Sequence, residues 1–362
     1  MRVVRRAIRS VRANADTQID VSRVVSACVE LAERAGHVIR NVAASGEKGA
    51  VDKGGAFDID GTYIADVQTK ADRLVEDLVT WHIRACLPGL PLVAEEAAGG
   101  ALQIEPDIKD EALSEHLEPL PLDQLEHFPW PRELQAVPAE RIVLYVDPLD
   151  GTGEFNNGNL EASTTLFGVA VDGRPVAGVI HQPFFRNPSG EIVGRTVWGA
   201  VGVGVFGLLL TVPTPGQNSL PPSRAPARDG GLVVGTNRVR RDTRIDVALD
   251  ALRALGPNMD VVRQSASGFH SLMLLEGVTD VWVLTRGGTK RWDTCAAEAL
   301  LVSSGGRLSD AIGRRYEYRA KSDSSMGVPF ENVHGVIASR DGRMHNTFVQ
   351  TVSVSIAPWP LE

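Results

Sequence analysis

The chain has 362 residues, 43% of them hydrophobic, a formal net charge of −8 and three cysteines. That length holds one large or two ordinary domains, and that apolar content excludes wholesale disorder. The acidic balance excludes a protein that coats a nucleic acid polymer, but not one that takes a small anionic substrate, because divalent cations invert the field around an acidic cluster.

Residues 1–20 read as a basic extension. Met1 to Ala15 carries Arg2, Arg5, Arg6, Arg9 and Arg12 without an acid, and Val4, Ile8 and Val11 share one helical face. Both a mitochondrial transit peptide and a frayed cytoplasmic N-terminus have this pattern. Cys28, Cys86 and Cys295 are far apart, odd in number and without C-x-x-C spacing, which fits a reducing, cytoplasmic setting and no zinc or disulfide framework. No apolar run spans a membrane; Val201 to Val212 is too short and holds three glycines.

Val21 to Ala44 has helical spacing of Val21, Val24, Val25, Cys28, Leu31, Ala35, Val38 and Ile39, with Gly46 as its stop. Glu47 to Tyr63 reads as a loop or hairpin. A second helix starts near Thr69, turns Leu74, Val75, Leu78 and Ile83 inward, and ends before Pro88. Pro91 to Ala94 is a short strand ending in Glu95-Glu96. Residues 97–138, rich in acids and proline, read as a surface insertion with short helices. Arg141 to Val146 is a buried strand, and Thr164 to Val171 and Val176 to His181 flank Asp172-Gly173, a hairpin signal. Thr196 to Val205 and Leu208 to Val212 add strands.

Pro213 to Gly230, with five prolines and two glycines, is a linker. A β-α-β rhythm follows: strands at Leu232 to Gly235, Val261-Val262 and Asp280 to Leu284, helices at Arg244 to Leu255, Gly268 to Leu275 and Thr294 to Ser304. The expected fold is α+β over residues 21–225 followed by α/β over residues 226–362.

The chemistry lies at element ends. Asp147-Pro148-Leu149-Asp150-Gly151-Thr152 follows a strand on a turn that Pro148 and Gly151 favour. Two carboxylates and the Leu149 carbonyl are hard oxygen donors of the kind Mg²⁺ takes, and Gly151 and Thr152 offer backbone N–H groups to a phosphate. Alone, this is an ordinary acidic turn. Glu95 sits at another strand tip. Asp293, in Trp292-Asp293-Thr294, lies just before a helix that either it or Thr294 caps. Asp72 stands three residues after Thr69, the spacing of a helix-capping pair. Acids at four separate element ends are also what a multi-metal phosphatase needs.

These residues resemble the lithium-sensitive, Mg²⁺-dependent phosphatase superfamily of inositol monophosphatase and fructose-1,6-bisphosphatase, whose signature is D-P-[IL]-D-G-[TS] with a distant W-D. Within it, Asp66 to Leu74, Val146 to Phe155, Gly178 to Phe184 and Arg291 to Ala296 resemble the 3′(2′),5′-bisphosphate nucleotidases. The resemblance runs from about Val21 to the end. It implies a layered α-β-α-β-α sandwich. It implies two or three Mg²⁺ ions on Glu95, Asp147, Asp150, Asp293 and the Leu149 carbonyl, with Asp147 bridging. Asp72 and Thr152 would activate water, and Gly151 and Thr152 would hold phosphate. Residues 21–225 would then carry the metals and phosphate, and residues 226–362 the rest of the substrate.

The implied reaction is release of the 3′-phosphate of adenosine 3′,5′-bisphosphate, a by-product of sulfate transfer, with inhibition by lithium. Inositol polyphosphate 1-phosphatase or inositol monophosphatase activity is the alternative. A monomer or homodimer is expected, and no partner beyond the small phosphorylated substrate. The chain departs from these nucleotidases after the linker. Gly235-Thr236-Asn237-Arg238-Val239 lacks a histidine that they carry, and His270 falls roughly where they carry a lysine. Arg238, Gly268 and His270 are candidate substrate contacts; His270 reads equally as a helix-surface histidine, and Arg238 and Arg263 as surface charges.

Overall fold

The computed structural model describes residues 17–57, 63–96, 113, 115–209, 231–238, 243–256, 258–321 and 328–358. The Arg-rich segment 1–15, the linker 213–230 and residues 97–112 of the expected insertion lie outside the described residues.

The first half begins with β1 (Gln18–Ile19) and α1 (Val21–Ser45). The Asp20 carboxylate accepts the Ser22 amide at 2.9 Å to start α1, and Gly46, at φ 72°, ends it. The stretch read as a loop or hairpin is a nested antiparallel ribbon, β2 (Val51–Asp52) with β5 (Val67–Gln68) and β3 (Ala56–Phe57) with β4 (Tyr63–Ile64). Thr69 then caps α2 (Lys70–Cys86). A six-stranded sheet follows, built from β6 (Leu92–Ala94), β8 (Ile142–Asp150), β9 (Thr164–Val171), β10 (Arg174–Gln182), β11 (Arg195–Ala200) and β12 (Gly204–Phe206), in spatial order β12-β11-β10-β9-β8-β6. Only β6 and β8 run parallel. β7 (Val137–Pro138) pairs with β1 outside that sheet.

Three expectations change here. The strand expected over 196–205 is a hairpin of two, because Gly202 and Gly204 take φ of 82° and 118° and reverse the chain. Leu208 and Leu209 lie outside any strand, and residues 210–212 lie outside the described residues. The described part of the expected surface insertion is not superficial. Leu113, Leu120, Leu125, Trp130, Leu134 and Val137 are buried in one cluster with α1 and α2. Their irregular spacing hides them, while Glu115, Glu118, Asp123 and Glu126 between them are exposed.

The second half contains β13 (Val233–Asn237), α4 (Thr243–Arg253), β14 (Asp260–Gln264), α5 (Ser267–Leu275), β15 (Val281–Leu284), α6 (Arg291–Ser303), β16 (Arg307–Ser309), β17 (Val336–Ser339) and α7 (Gly342–Ile356), α3 being the short helix described below. The sheet order is β14-β13-β15-β17-β16. Its first three strands are parallel, as the β-α-β rhythm predicts, and β17 is antiparallel to both neighbours.

Alternation along each strand builds the layers. In β8, Ile142, Leu144 and Val146 face α1 and α2, whereas Val143 and Tyr145 face the opposite cluster, which includes α5, α6 and residues of the second sheet. In β15, Trp282 joins that middle cluster, and Val281 and Val283 face α4 and α7. The result is an α-β-α-β-α sandwich.

α6 lies against the first sheet because two glycines, Gly168 and Gly178, stand opposite each other beneath it. A Cβ on Gly178 would come within 2.5 Å of the Ala296 carbonyl oxygen, a backbone atom that cannot swing aside. Gly178→Ala is therefore expected to cost about 1–3 kcal/mol by overpacking. Because it pushes on the helix that carries Asp293, activity should fall with stability; a denaturant titration beside a phosphatase assay checks both.

Candidate active site

β8 was expected to end at Val146, with the two aspartates on a turn. Instead the strand runs through Asp150. Asp147 faces Leu166 and Asp150 faces Thr164, so the β8 side has one extra residue, a bulge. Pro148 has no N–H for the ladder, and the Leu149 amide donates to Asp147 Oδ1 at 3.1 Å. Gly151, at φ 82°, then turns the chain into α3 (Thr152–Asn156).

Asp150 is held from both halves of the chain. Its Oδ1 accepts the Ser267 amide at 3.0 Å, and its Oδ2 accepts the Gly268 amide and Thr164 Oγ1, each at 2.7 Å. Gly268, expected to meet substrate, thus meets Asp150. A Cβ there would come within 2.3 Å of Thr164 Oγ1 and 2.5 Å of a Leu166 methyl, so only glycine allows the approach.

Trp292-Asp293-Thr294 does not precede a helix; it lies within the first turn of α6, which Lys290 caps. Asp293 is the third helical residue, and its Oδ2 accepts the Lys290 amide at 2.5 Å. One ligand atom from each of Asp147, Asp150 and Asp293 fits within a mutual distance of 4.8 Å. Glu95 continues the β6–β8 ladder, its amide donating to the Val146 carbonyl at 3.2 Å, which sets it next to Asp147 across the sheet. Burial, then the charge of Glu95, holds the Asp147 carboxyl well above its ordinary range. Burial, then Asp293, pushes Asp150 up to about 7. Burial raises Glu95 to about 8 and raises Asp293 as well. Crowded carboxylates with hard oxygen donors and raised pKa values are a fit for divalent cations such as Mg²⁺.

Asp72 belongs to two networks. Its Oδ2 accepts the Thr69 amide and hydroxyl at 2.7 and 2.5 Å, the capping contact. Its Oδ1 accepts Thr152 Oγ1 at 2.9 Å, and the same hydroxyl lies 2.8 Å from the Leu149 carbonyl. Asp72 is fully buried, and desolvation lifts its pKa to about 6 against the hydrogen bonds that lower it.

Sequence reasoning missed Lys53. Its ammonium lies 3.5 Å from Glu95 and 3.2 Å from Glu96, whose carboxylate also accepts Gln68 Nε2 at 2.5 Å. Nothing in a glycine-rich charged stretch marks that lysine. Glu154 was missed too. It is buried, and both of its oxygens accept Arg238 NH2 at 2.7 Å. Arg238 therefore joins α3 to the end of β13 rather than standing as a lone surface charge. Arg263 reaches the Asn237 carbonyl at 3.3 Å and lies 3.9 Å from Asp246. His270 is not a helix-surface histidine. It is buried, stacks on Trp282 with ring centroids 5.2 Å apart, and lies 3.1 Å from the Gln264 carbonyl. It sits on the apolar face of α5, where the middle layer meets the second sheet.

Fold and site together define a metal-dependent phosphatase. The profile of the inositol monophosphatase family matches residues 20–356. The chain belongs to that family. It is 32% identical over 311 residues to human 3′(2′),5′-bisphosphate nucleotidase 1, covering 84% of this chain and 89% of the relative. Inositol monophosphatase 3 of Danio rerio is 30% identical over 198 residues, 53% of this chain and 50% of that one. Among solved structures, CysQ from Bacteroides thetaiotaomicron, a bacterial member of the family, superposes with a TM-score of 0.56 at 21% identity, covering 88% of this chain and 97% of that one. Among the described residues, no helix is long and apolar enough to cross a membrane.

Proposed function

We propose that this chain is a Mg²⁺-dependent phosphomonoesterase that releases the 3′-phosphate of adenosine 3′,5′-bisphosphate, giving AMP and phosphate. The observation that carries the reaction is the convergence of Asp147, Asp150 and Asp293 beside the hydrogen-bonded pair Asp72–Thr152. The nucleotide is favoured over an inositol phosphate by the 32% identity to a nucleotidase across 84% of the chain, where the inositol monophosphatase relatives match over half of the chain at 30% or over most of it at 25%.

Glu95, Asp147, Asp150, Asp293 and the Leu149 carbonyl would hold two or three Mg²⁺ ions. Bound there, the ions supply charge stabilisation for the entering and leaving oxygens and lower the pKa of water. The side chains do the rest. Asp147 is buried with Glu95, Asp150 and Asp293 as its charged neighbours, so it would be held at the centre of the ligand set. The hydrogen bonds to Asp150 fix its oxygens before substrate arrives. The N–H groups of Gly151 and Thr152 open α3 towards the scissile phosphate. Thr152 Oγ1 has one proton and Asp72 Oδ1 accepts it, so Thr152 can take a proton from the attacking water as it passes its own to Asp72. Near pH 7 a carboxyl with a pKa of about 6 is mostly ionised and able to accept. Water's oxygen bonds to phosphorus, the P–O3′ bond breaks, the 3′ oxygen takes a proton from solvent, and Asp72 returns the proton it gained to solvent, so one water is consumed per phosphate released. Residues 21–225 carry this machinery apart from Asp293 and the Ser267 and Gly268 amides that hold Asp150, and other parts of residues 226–362 shape the site for the nucleoside.

Phosphate release from adenosine 3′,5′-bisphosphate, inositol 1,4-bisphosphate and inositol 1-phosphate, compared as kcat/KM, tests the substrate. The nucleotide should lead. Far faster turnover of an inositol phosphate would replace the nucleotidase reading and keep the metal site.

Stability should report the metals without substrate. A carboxyl whose folded pKa is raised binds more protons folded than unfolded, so the metal-free fold loses stability as pH rises. The window runs from the unfolded value of about 4 up to the raised values of about 7 for Asp150 and about 8 for Glu95. Mg²⁺ binds the ionised forms. Its effect on Tm should therefore be small at about pH 5.5 and larger at about pH 8. A Mg²⁺ effect that does not change with pH would count against these ligands.

A further inference from the structure

The five residues of α3 are too few to hold a helix by their own hydrogen bonds, so its neighbours set where Thr152 stands. Gly151, just before it, has no side chain to cap the first turn. The far end of α3 is fixed from the first half of the chain. Phe155 is fully buried, and the Lys48 ammonium donates to the Phe155 and Asn156 carbonyls at 2.6 and 3.1 Å. The near end is fixed from the second half. Glu154, two residues after Thr152, is buried; both of its oxygens accept Arg238 NH2 at 2.7 Å, and Oε2 also accepts Asn159 Nδ2 at 2.8 Å. Burial raises the Glu154 pKa, but the donors Asn159 and Arg238 outweigh it and hold the carboxyl below its ordinary range, so Glu154 is ionised at neutral pH. Arg238 stands just past β13, and its amide donates to the Gln264 carbonyl at 3.1 Å. Gln264 ends β14 and leads into Ser267 and Gly268, whose amides hold Asp150. One guanidinium therefore ties the helix that carries Thr152 to the segment that orients Asp150.

We propose that Arg238 is a positioning residue for the hydrolysis: through Glu154 it sets the first turn of α3, and with it the Thr152 hydroxyl against Asp72. The inference rests on the reading of Asp72 and Thr152 as the proton path. That path is narrow, because Thr152 Oγ1 sits 2.9 Å from Asp72 Oδ1 and 2.8 Å from the Leu149 carbonyl. Displacement of a reacting group by about 1 Å can cost about 10²-fold in rate. Loss of Arg238 leaves Phe155 and Lys48 in place, so α3 stays formed while its first turn shifts. Because a single nitrogen of Arg238 meets both Glu154 oxygens, an ammonium can copy the contact, which a two-nitrogen fork would not allow.

The test is a double-mutant cycle in kcat on the full-length protein at saturating Mg²⁺, with adenosine 3′,5′-bisphosphate and with adenosine 3′-phosphate, which has no 5′-phosphate. Arg238→Ala should lower kcat on the bisphosphate by about 10–100-fold with KM changed by less than about threefold, and turnover of adenosine 3′-phosphate should fall by the same factor. Arg238→Lys should recover most of the loss. In the Thr152→Ala background, Arg238→Ala should cost less than about a further threefold, because the hydroxyl it places is gone. Arg238→Ala leaves Glu154 unpaired, so Glu154→Gln with Arg238→Ala controls for stability: Tm should return towards the parent and the kcat loss should remain. Full kcat in that control, losses that multiply fully with Thr152→Ala, or unchanged kcat in Arg238→Ala would each overturn the proposal. A loss confined to KM or to the bisphosphate would also overturn it and make Arg238 a contact for the 5′-phosphate. A parent without Mg²⁺-dependent turnover, or an unimpaired Thr152→Ala, would remove the underlying reading as well; an impaired Thr152→Ala beside an unimpaired Arg238→Ala would remove this inference alone.

Discussion

Asp147→Asn is expected to lower kcat by on the order of 10³-fold or more and to abolish the Mg²⁺ effect on Tm. Asp147 is buried between Glu95, Asp150 and Asp293, and an amide there removes a ligand oxygen's charge from the centre of the cluster. Metal stabilisation of developing charge amounts to several kcal/mol, and each ~1.4 kcal/mol is about tenfold in rate. The folded state should survive the change. In the metal-free chain Asp147 is one of several crowded carboxyls, and removing a charge relieves repulsion. The variant should therefore unfold no more easily than the parent without Mg²⁺ at alkaline pH, where repulsion among the carboxyls of the parent is greatest. Near-parental turnover in Asp147→Asn would remove the metal cluster from the chemistry. Asp293→Asn, at the first turn of α6, should behave in the same way, and comparison of the two guards against a local folding defect.

The second large effect is expected at Thr152. Thr152→Ala should reduce kcat by roughly 10²–10⁴-fold, the usual range for positioned proton transfer, with KM little changed. Thr152→Ser keeps the hydroxyl and should retain most of the activity. Asp72→Asn should resemble Thr152→Ala, because the proton taken by the hydroxyl ends on Asp72 Oδ1. Residues that act as one unit are not additive, so the double variant should be little worse than either single one. If losses multiplied in full, Asp72 and Thr152 would be acting separately, and Asp72 would be chiefly a cap for α2 through Thr69. The pH profile gives a further readout. Burial raises the Asp72 pKa, so at saturating Mg²⁺ the acid limb of the activity profile should differ between the parent and Asp72→Asn.

Much of the fold was legible because the long elements carry clean periods. The 3.6-residue pattern from Val21 and the T-x-x-D spacing at Thr69 located α1 and α2, which pack on one face of the first sheet. Asp172-Gly173 located the β9–β10 hairpin, since both take positive φ, 51° and 76°. What stayed hidden has physical reasons. Leu113 to Val137 enter the core one at a time from irregular chain, which leaves no period to read. Asp147-Pro148-Leu149-Asp150 was read as a turn because proline and glycine mark turns, yet a bulge lets a strand hold the same residues. In the site, the acids were found from their places at element ends and from a family signature. Their neighbours were not, because the Ser267 and Gly268 amides on Asp150, and Lys53 beside Glu95 and Glu96, are contacts between segments far apart in sequence. His270 was misplaced for the same reason. Its burial depends on Trp282 in another strand.

The most direct measurement is product analysis after incubation of the full-length protein with adenosine 3′,5′-bisphosphate, with Mg²⁺ and with chelator. The expected result is Mg²⁺-dependent release of phosphate with AMP as the sole nucleotide product, abolished by Asp147→Asn. Adenosine 3′-phosphate as the product, phosphate release that persists in chelator, or no turnover of the bisphosphate with Mg²⁺ would contradict it.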